Sequence, residues 1–279
     1  MNAPEIFFSL PDIQAQVDHR NMPIDAVGIK GVRYPVKLLA GSTVLSTVAT
    51  LAMTVGLPSA AKGTHMSRFI ELLEEQTEAL DPARFRALLR EMLARLGAAS
   101  GMIEMRFPYF VRKSAPVSGV RSQLDHEVCW RASITGNGQY AFWMQVSVPA
   151  TSLCPCSKEI SSYGAHNQRS HIQIHAELRG DMTIDELIGI AESGASCEIY
   201  GLLKRPDEKY VTERAYDNPK FVEDMVRDVA MALASDPRVA GFEVEVENFE
   251  SIHNHSAFAR IVRVGVGAAP AARPDAVAS

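Results

Sequence analysis

Apolar and polar residues alternate along two long stretches near the start of the chain. Val27 to Leu39, V-G-I-K-G-V-R-Y-P-V-K-L-L, reads as a strand, and Val44 to Val55, rich in β-branched residues, reads as a second. The period then lengthens. K-G-T-H-M-S-R-F-I-E-L-L-E-E enters a helix whose apolar side is Phe69, Ile70, Leu72 and Leu73, with acidic residues facing water. A second helix opens at Asp81-Pro82, the first as N-cap and the second at N1. Phe85, Leu88, Leu89, Met92, Leu93 and Leu96 form its stripe, and Gly97 ends it. Two strands follow, near Met102 to Val111 and Gln123 to Ile134.

The second half repeats that order. Ala141 to Val148 is a strand, a long loop follows, and Gln168 to Leu178 is the partner strand. Thr183 to Glu186 is a capping box that opens a short helix. Asn218-Pro219 is expected to open a longer one, burying Phe221, Val222, Met225, Val226, Val229 and Leu233, and Gly241 to Asn248 and Ala257 to Val266 close the unit. Because Asp81-Pro82 and Asn218-Pro219 hold equivalent places, the pattern predicts an internal duplication of ββααββ. The expected divisions are an N-terminal arm (1–26), a first unit (27–136), a second unit (137–266) and a disordered Ala/Pro-rich tail (267–279). The class is α+β, with antiparallel sheets carrying helices on one face. Four-stranded sheets with open edges favour an oligomer that covers them.

Composition changes this picture little. The chain has 279 residues, 47% hydrophobic and 22% charged, with a formal charge of −5 and a pI near 5.9. That is an ordinary globular balance, and it gives no broad basic face for nucleic acid. Leu38 to Ala61 carries no charge, but its Ser, Thr and β-branched content suits a strand rather than a membrane span. Four unevenly spaced cysteines do not make a disulfide framework, and the N-terminus lacks the basic region of a secretory signal. A reducing, cytoplasmic setting is expected.

The chemistry is concentrated in Ser152 to His171, S-L-C-P-C-S-K-E-I-S-S-Y-G-A-H-N-Q-R-S-H. Pro155 fixes φ between Cys154 and Cys156, so an extended pair is expected, with thiols on opposite sides. That spacing suits one metal ligand beside one reactive thiol better than a structural zinc half-site. His166 ends the loop. His171, Gln173 and His175 share one strand face, opposite Ile172, Ile174 and Ala176, where the histidines serve as ligands or simply hydrogen-bond. His253 or His255 is available to complete a site with Cys154 and His166. In R-P-D-E-K-Y, Asp207 and Glu208 offer a carboxylate, although such a stretch more often is a solvated loop. Cys129 and Cys197, beside apolar residues, read as packing. A mixed Cys/His/carboxylate set with an open position lowers the pKa of a bound water, which suits hydrolysis at an electron-poor carbon such as a purine C8. Cys156 or another histidine would then carry protons.

Four pieces together resemble the GTP cyclohydrolase type IB family: V-G-I-K-G-V-R-Y-P-V, K-G-T-H-M-S-R-F, S-L-C-P-C-S-K-E-I-S-x-Y-G-A-H-N-Q-R-S and E-S-I-H-N-H-S-A. They run from about Val27 to Val266. The resemblance implies a tunnelling fold, with tandem ββααββ units forming barrels in a homotetramer. It implies conversion of GTP and water to 7,8-dihydroneopterin triphosphate and formate, the first step of tetrahydrofolate synthesis. Position by position, it implies Cys154, His166, Glu208 and His253 as ligands of a divalent metal, zinc or manganese. It makes Cys154, Cys156 and His166 the catalytic groups and Glu223 the holder of the guanine edge. His65, Arg68 and Lys158 become triphosphate contacts. Two other readings are weighed: a tunnelling-fold reductase of a deazapurine nitrile, whose Glu-Ser-Lys-Ser-type motif is not visible here, and a non-catalytic metal- or purine-binding module.

Overall fold

The structure, a computed structural model, describes residues 11–265. The first ten residues of the expected arm and the expected tail lie outside the described residues. The described part of the arm meets the body through the Val17–Ala61 bridge and a hydrogen bond from Asp18 N to Ala60 O at 2.9 Å.

Strands β1 (Ile24–Ala40) and β2 (Thr43–Leu57) form a long hairpin turned at Gly41, where φ is 58°. The left-handed backbone there suits glycine. The uncharged Leu38 to Ala61 stretch therefore holds the end of β1, the turn and the whole of β2, and no described helix is long and apolar enough to cross a membrane. Helices α1 (Ser67–Glu75) and α2 (Pro82–Leu96) follow, then β3 (Gly101–Ser114) and β4 (Arg121–Ile134). The ends of α2 are as expected: Asp81 Oδ1 accepts from Arg84 N at 2.7 Å, and Gly97 is left-handed at φ 61°.

The second half runs β5 (Tyr140–Leu153), α3 (Pro155–Ile160), β6 (Asn167–Leu178), α4 (Ile184–Gly194), β7 (Cys197–Glu198), α5 (Arg205–Asp217), α6 (Val222–Ser235), β8 (Val239–Asn248) and β9 (Ala257–Arg263). The Thr183 capping box is present, its hydroxyl accepting from Glu186 N at 3.2 Å while Glu186 accepts from Thr183 N at 2.7 Å.

Three expectations fail locally. The Cys-Pro-Cys segment is not extended, because Pro155 takes the N1 position of α3 and its fixed φ serves a first helical turn equally well. Residues 205–210 are not a loop but the start of α5. Asn218-Pro219 does not open the long helix. Asn218 ends α5, donating from Nδ2 to Ala195 O and Ser196 O at 3.0 and 3.1 Å, and α6 begins only at Val222, where Asp224 accepts from Phe221 N at 3.0 Å.

The expected pair of four-stranded sheets is one sheet. β4 and β5 pair from Glu127↔Ser147 to Ile134↔Tyr140, giving the order β1-β2-β3-β4-β5-β6-β8-β9 with β7 added beside β5. Its two path ends, β1 and β9, are the described sheet edges. One face carries the helices. Met53, Met105, Trp130, Met144, Ile174 and Val244 point into it and are nearly inaccessible, against Phe69, Phe85, Leu89, Leu187, Met225 and Val229 from the helices. Trp130 is the aromatic hub, with Phe85, Phe107 and Phe142 edge-on at centroid distances of 5.7, 5.6 and 5.9 Å. Each such buried side chain contributes about 1.5–3 kcal/mol relative to exposure. The opposite face carries charged and polar side chains such as Glu104, Arg131, Glu243 and Arg260, with Phe110, Phe258 and Val262 exposed among them, and in β6 it shows the alternation that the sequence showed.

Candidate active site

The β5–β6 hairpin carries the expected site. Its last rung is Leu153↔Asn167, and the connection between them holds α3. Cys154 N donates to His166 O at 3.1 Å, so the two residues face each other across the mouth of the hairpin. Ser157 closes the turn: its hydroxyl donates to Cys154 O at 3.2 Å and accepts from His166 N at 3.1 Å. The sulfur of Cys154 is the N-cap acceptor of α3, receiving Ser157 N at 3.4 Å. Cys154 is half-buried and Cys156, one residue into α3, is exposed. The His166 side chain is 12% accessible, with Nδ1 2.9 Å from Gln168 Oε1 and 3.9 Å from Glu250 Oε2.

The remaining expected residues are placed elsewhere. Glu208 is exposed on the first turn of α5, and His253 is exposed in the turn before β9, its ring stacked on His255 at 5.0 Å. Among the described residues no three His, Cys, Asp or Glu side chains are grouped so as to hold a metal ion. In donor chemistry the hairpin mouth still fits a divalent metal: it offers one sulfur and one imidazole on two residues joined by a backbone hydrogen bond. Glu223 is exposed on the first turn of α6. His65 Nε2 lies 3.2 Å from Asp12 Oδ2, and Arg68 Nη1 donates to Arg95 O at 3.0 Å. Lys158 donates to Tyr216 O and lies 4.2 Å from the Tyr216 ring centroid, tying α3 to α5.

Beside the hairpin mouth is a cavity of about 290 Å³ whose lining includes Thr151, Asn167, Arg169, Glu198, Tyr200 and Thr212. Glu198 accepts from Tyr200 Oη at 2.6 Å and Arg214 Nη1 at 2.8 Å. Burial pushes its carboxyl pKa up, but the Tyr200 hydroxyl and the Arg214 charge outweigh this and hold it below the usual range. The residues flanking this cavity went unmarked in the sequence, and so did a row of buried polar side chains behind His166: Ser152, Gln168, Ser170 and Asn248. Their signal was phase. Gln168 and Ser170 continue the inward register of Ile172, Ile174 and Ala176, where a polar residue needs a partner. Cys129 and Cys197 are buried, as expected, and burial pushes their thiols up to about 12 and about 11.

The fold is of a known class. The uricase of Arthrobacter globiformis aligns over 90% of this chain and 96% of its own, with a TM-score of 0.51 at 8% identity. A hyper-thermostable mutant of AgUricase aligns over 88% and 94%, with 0.53 at 9% identity. At such identity the likeness concerns the fold alone, an antiparallel sheet backed by helices in the uricase-like, tunnelling-fold manner.

Sequence narrows the class to a family. The profile for type I GTP cyclohydrolase folE2 matches residues 10–259. GTP cyclohydrolase FolE2 1 of Dechloromonas aromatica is 58% identical over 262 residues, covering 94% of this chain and 98% of its own. GTP cyclohydrolase FolE2 of Herminiimonas arsenicoxydans is 59% identical over 258 residues, covering 91% and 97%. The chain belongs to the type I GTP cyclohydrolase folE2 family.

Proposed function

We propose that this chain is a GTP cyclohydrolase I of type IB, hydrolysing GTP to 7,8-dihydroneopterin triphosphate and formate at the head of tetrahydrofolate synthesis. The observation that carries the site is the pairing of Cys154 with His166 across the mouth of one hairpin. Family membership carries the substrate.

Cys154 and His166 hold a divalent metal, zinc or manganese, with Glu208 and His253 as the further donors. When bound, the metal supplies Lewis acidity and a water nucleophile near neutral pH for attack at the purine C8. Cys156, exposed one residue along, moves protons during ring opening and loss of formate. Glu223 takes the guanine N1–H and 2-amino group, which a carboxylate accepts together. His65, Arg68 and Lys158 contact the triphosphate. These contacts are shared between chains of a homotetramer in which β1 and β9, the described edges, are covered and the sheets close into barrels. Residues 27–136 and 137–266 are the duplicated units. Four free cysteines support a cytoplasmic setting.

The test is GTP consumption by purified protein loaded separately with zinc and manganese, following formate and pterin fluorescence together. Both products should appear, and both should vanish in folded Cys154→Ala and His166→Ala proteins. Tight metal binding with no formate under either metal would leave a non-catalytic module in place of an enzyme.

A further inference from the structure

His166 is one end of a buried hydrogen-bonded row. Gln168 Nε2 donates to Ser152 Oγ at 2.6 Å, Ser152 Oγ lies 2.9 Å from Ser170 Oγ, and Ser170 Oγ lies 2.7 Å from Asn248 Oδ1. Ser152 and Ser170 are fully buried, Asn248 is 2% exposed and Gln168 7%. The row crosses three neighbouring strands, β5, β6 and β8, on the helix-covered face. In such a place an unmade hydrogen bond costs about 1–3 kcal/mol, which favours pairing along the row.

The Asn248 amide, placed with Oδ1 toward Ser170 Oγ, sets the direction of the row, and the proton count follows from it. Asn248 Oδ1 accepts only, so the single hydroxyl proton of Ser170 goes there. Ser170 then accepts the single proton of Ser152, and Ser152 accepts from the Gln168 amide. This turns Gln168 Oε1 toward His166 Nδ1, 2.9 Å away. A carbonyl oxygen accepts only, so Nδ1 must carry the hydrogen. The Glu250 carboxylate, 3.9 Å from the same nitrogen, favours the same assignment. A neutral imidazole with its proton on Nδ1 has its lone pair on Nε2.

We propose that Gln168, backed by Ser152, Ser170 and Asn248, is a positioning relay that holds His166 as the Nδ1–H tautomer and presents Nε2 as its donor atom. The proposal rests on the reading of His166 as a metal donor. The relay acts on the ligand from behind, where partners that fix tautomer and ring angle are typically worth about 10–100-fold in metal affinity. It also explains why polar side chains occupy inward positions of β5 and β6 that otherwise hold Val, Ile and Ala.

The experiment has two readouts, neither of them turnover. Long-range 1H–15N correlation on the metal-free protein reports which imidazole nitrogen of His166 is protonated, and competition with a chromophoric chelator gives the zinc affinity. Wild type should show Nδ1–H. Gln168→Met, similar in shape but unable to accept, should lose that signature and bind zinc about 10–100-fold more weakly. Gln168→Glu, which keeps an acceptor toward Nδ1, should restore the signature and most of the affinity. Should Gln168→Met not fold, Ser170→Ala breaks the row two members back and should give mixed tautomers. Wild-type tautomer and affinity in Gln168→Met or Ser170→Ala, alongside lost zinc binding in Cys154→Ala, overturns the relay and leaves the metal reading intact. Undiminished zinc binding by Cys154→Ala overturns the metal reading itself.

Discussion

Asp207 and Ser118 lie 89 residues apart in sequence and are joined twice: Asp207 Oδ1 accepts Ser118 N at 2.8 Å, and Oδ2 accepts Ser118 Oγ at 2.6 Å. The same carboxylate accepts Val117 N at 2.9 Å and Lys204 N at 2.8 Å. It thus caps α5 and pins it to the β3–β4 turn. Burial raises the Asp207 pKa, but the Ser118 hydroxyl and the three amides outweigh it and hold the carboxyl well below the usual range. A carboxyl depressed in the folded state stabilises above its unfolded value, about 3.9, and that stability declines as pH falls below it. Asp207→Asn should therefore lower the urea midpoint at neutral pH and flatten its decline between pH 4 and 2. An unchanged acid slope would show that Asp207 does not anchor the helix. Because Glu208, proposed above as a metal donor, is the next residue, Asp207→Ala should on that reading also weaken zinc binding.

His175 behaves with the opposite chemistry and the same sense of pH dependence. Its ring packs on Trp143 at 4.7 Å, and burial, then the Arg131 charge, push its pKa down to about 4 against the pull of Glu243 and Glu104; Arg106 adds to the depression. The fold therefore prefers neutral His175. The stability due to this preference is complete above the unfolded value of 6.5 and declines as pH falls toward about 4, by about 3 kcal/mol at most at 1.36 kcal/mol per unit. Subtracting the stability curve of His175→Gln from that of wild type should isolate a slope between pH 6.5 and 4. A flat difference curve would refute the assignment.

Phe85 is fully buried on α2 and edge-on to both Trp130 and Phe142. Phe85→Ala removes a ring from the hub on which the first helix pair rests, and should cost about 3–5 kcal/mol by denaturant titration. Near-UV dichroism should weaken with it, since the indole loses one wall. A loss under 1 kcal/mol would mean that the helices close the gap.

At the start of α4 the Thr183 hydroxyl and the Glu186 carboxylate satisfy each other's backbone amides. Thr183→Ala should destabilise by about 1 kcal/mol, and Thr183→Ser by much less, because only the acceptor matters. Equal losses in both would point to the methyl group instead.

The elements that the sequence made legible are those with a strong apolar period and an explicit start. α2 has a six-residue stripe between Asp81-Pro82 and Gly97, and α4 has its capping box. α5 was missed because R-P-D-E-K-Y-V-T-E-R-A-Y-D buries only Asp207 and Ala215, leaving almost no period to see. The start of α6 was misplaced because Asn-Pro mimics an N-cap, whereas here Asn218 spends its amide on the carbonyls of Ala195 and Ser196. That β4 pairs with β5 depends on one hairpin at 135–139, which local pattern does not distinguish from a boundary. In the site, the nearness of Cys154 to His166 was legible because thirteen residues closing a hairpin must bring its ends together. The roles of Gln168 and Asn248 were not, because partners across strands belong to register rather than to any local motif.

Cys154 and His166 stand one residue beyond and one residue before the same terminal rung, Leu153↔Asn167. Their spacing is therefore a property of a single zipped hairpin, indifferent to movement of the helices behind it. A lesion that frays that rung disarms thiol and imidazole in one event. A lesion that loosens α5 or the turn before β9 disturbs Glu208 or His253, the further donors proposed above, and leaves Cys154 and His166 as they were. Damage to this protein should accordingly sort into two grades, abrupt loss from the hairpin and graded loss from everything around it.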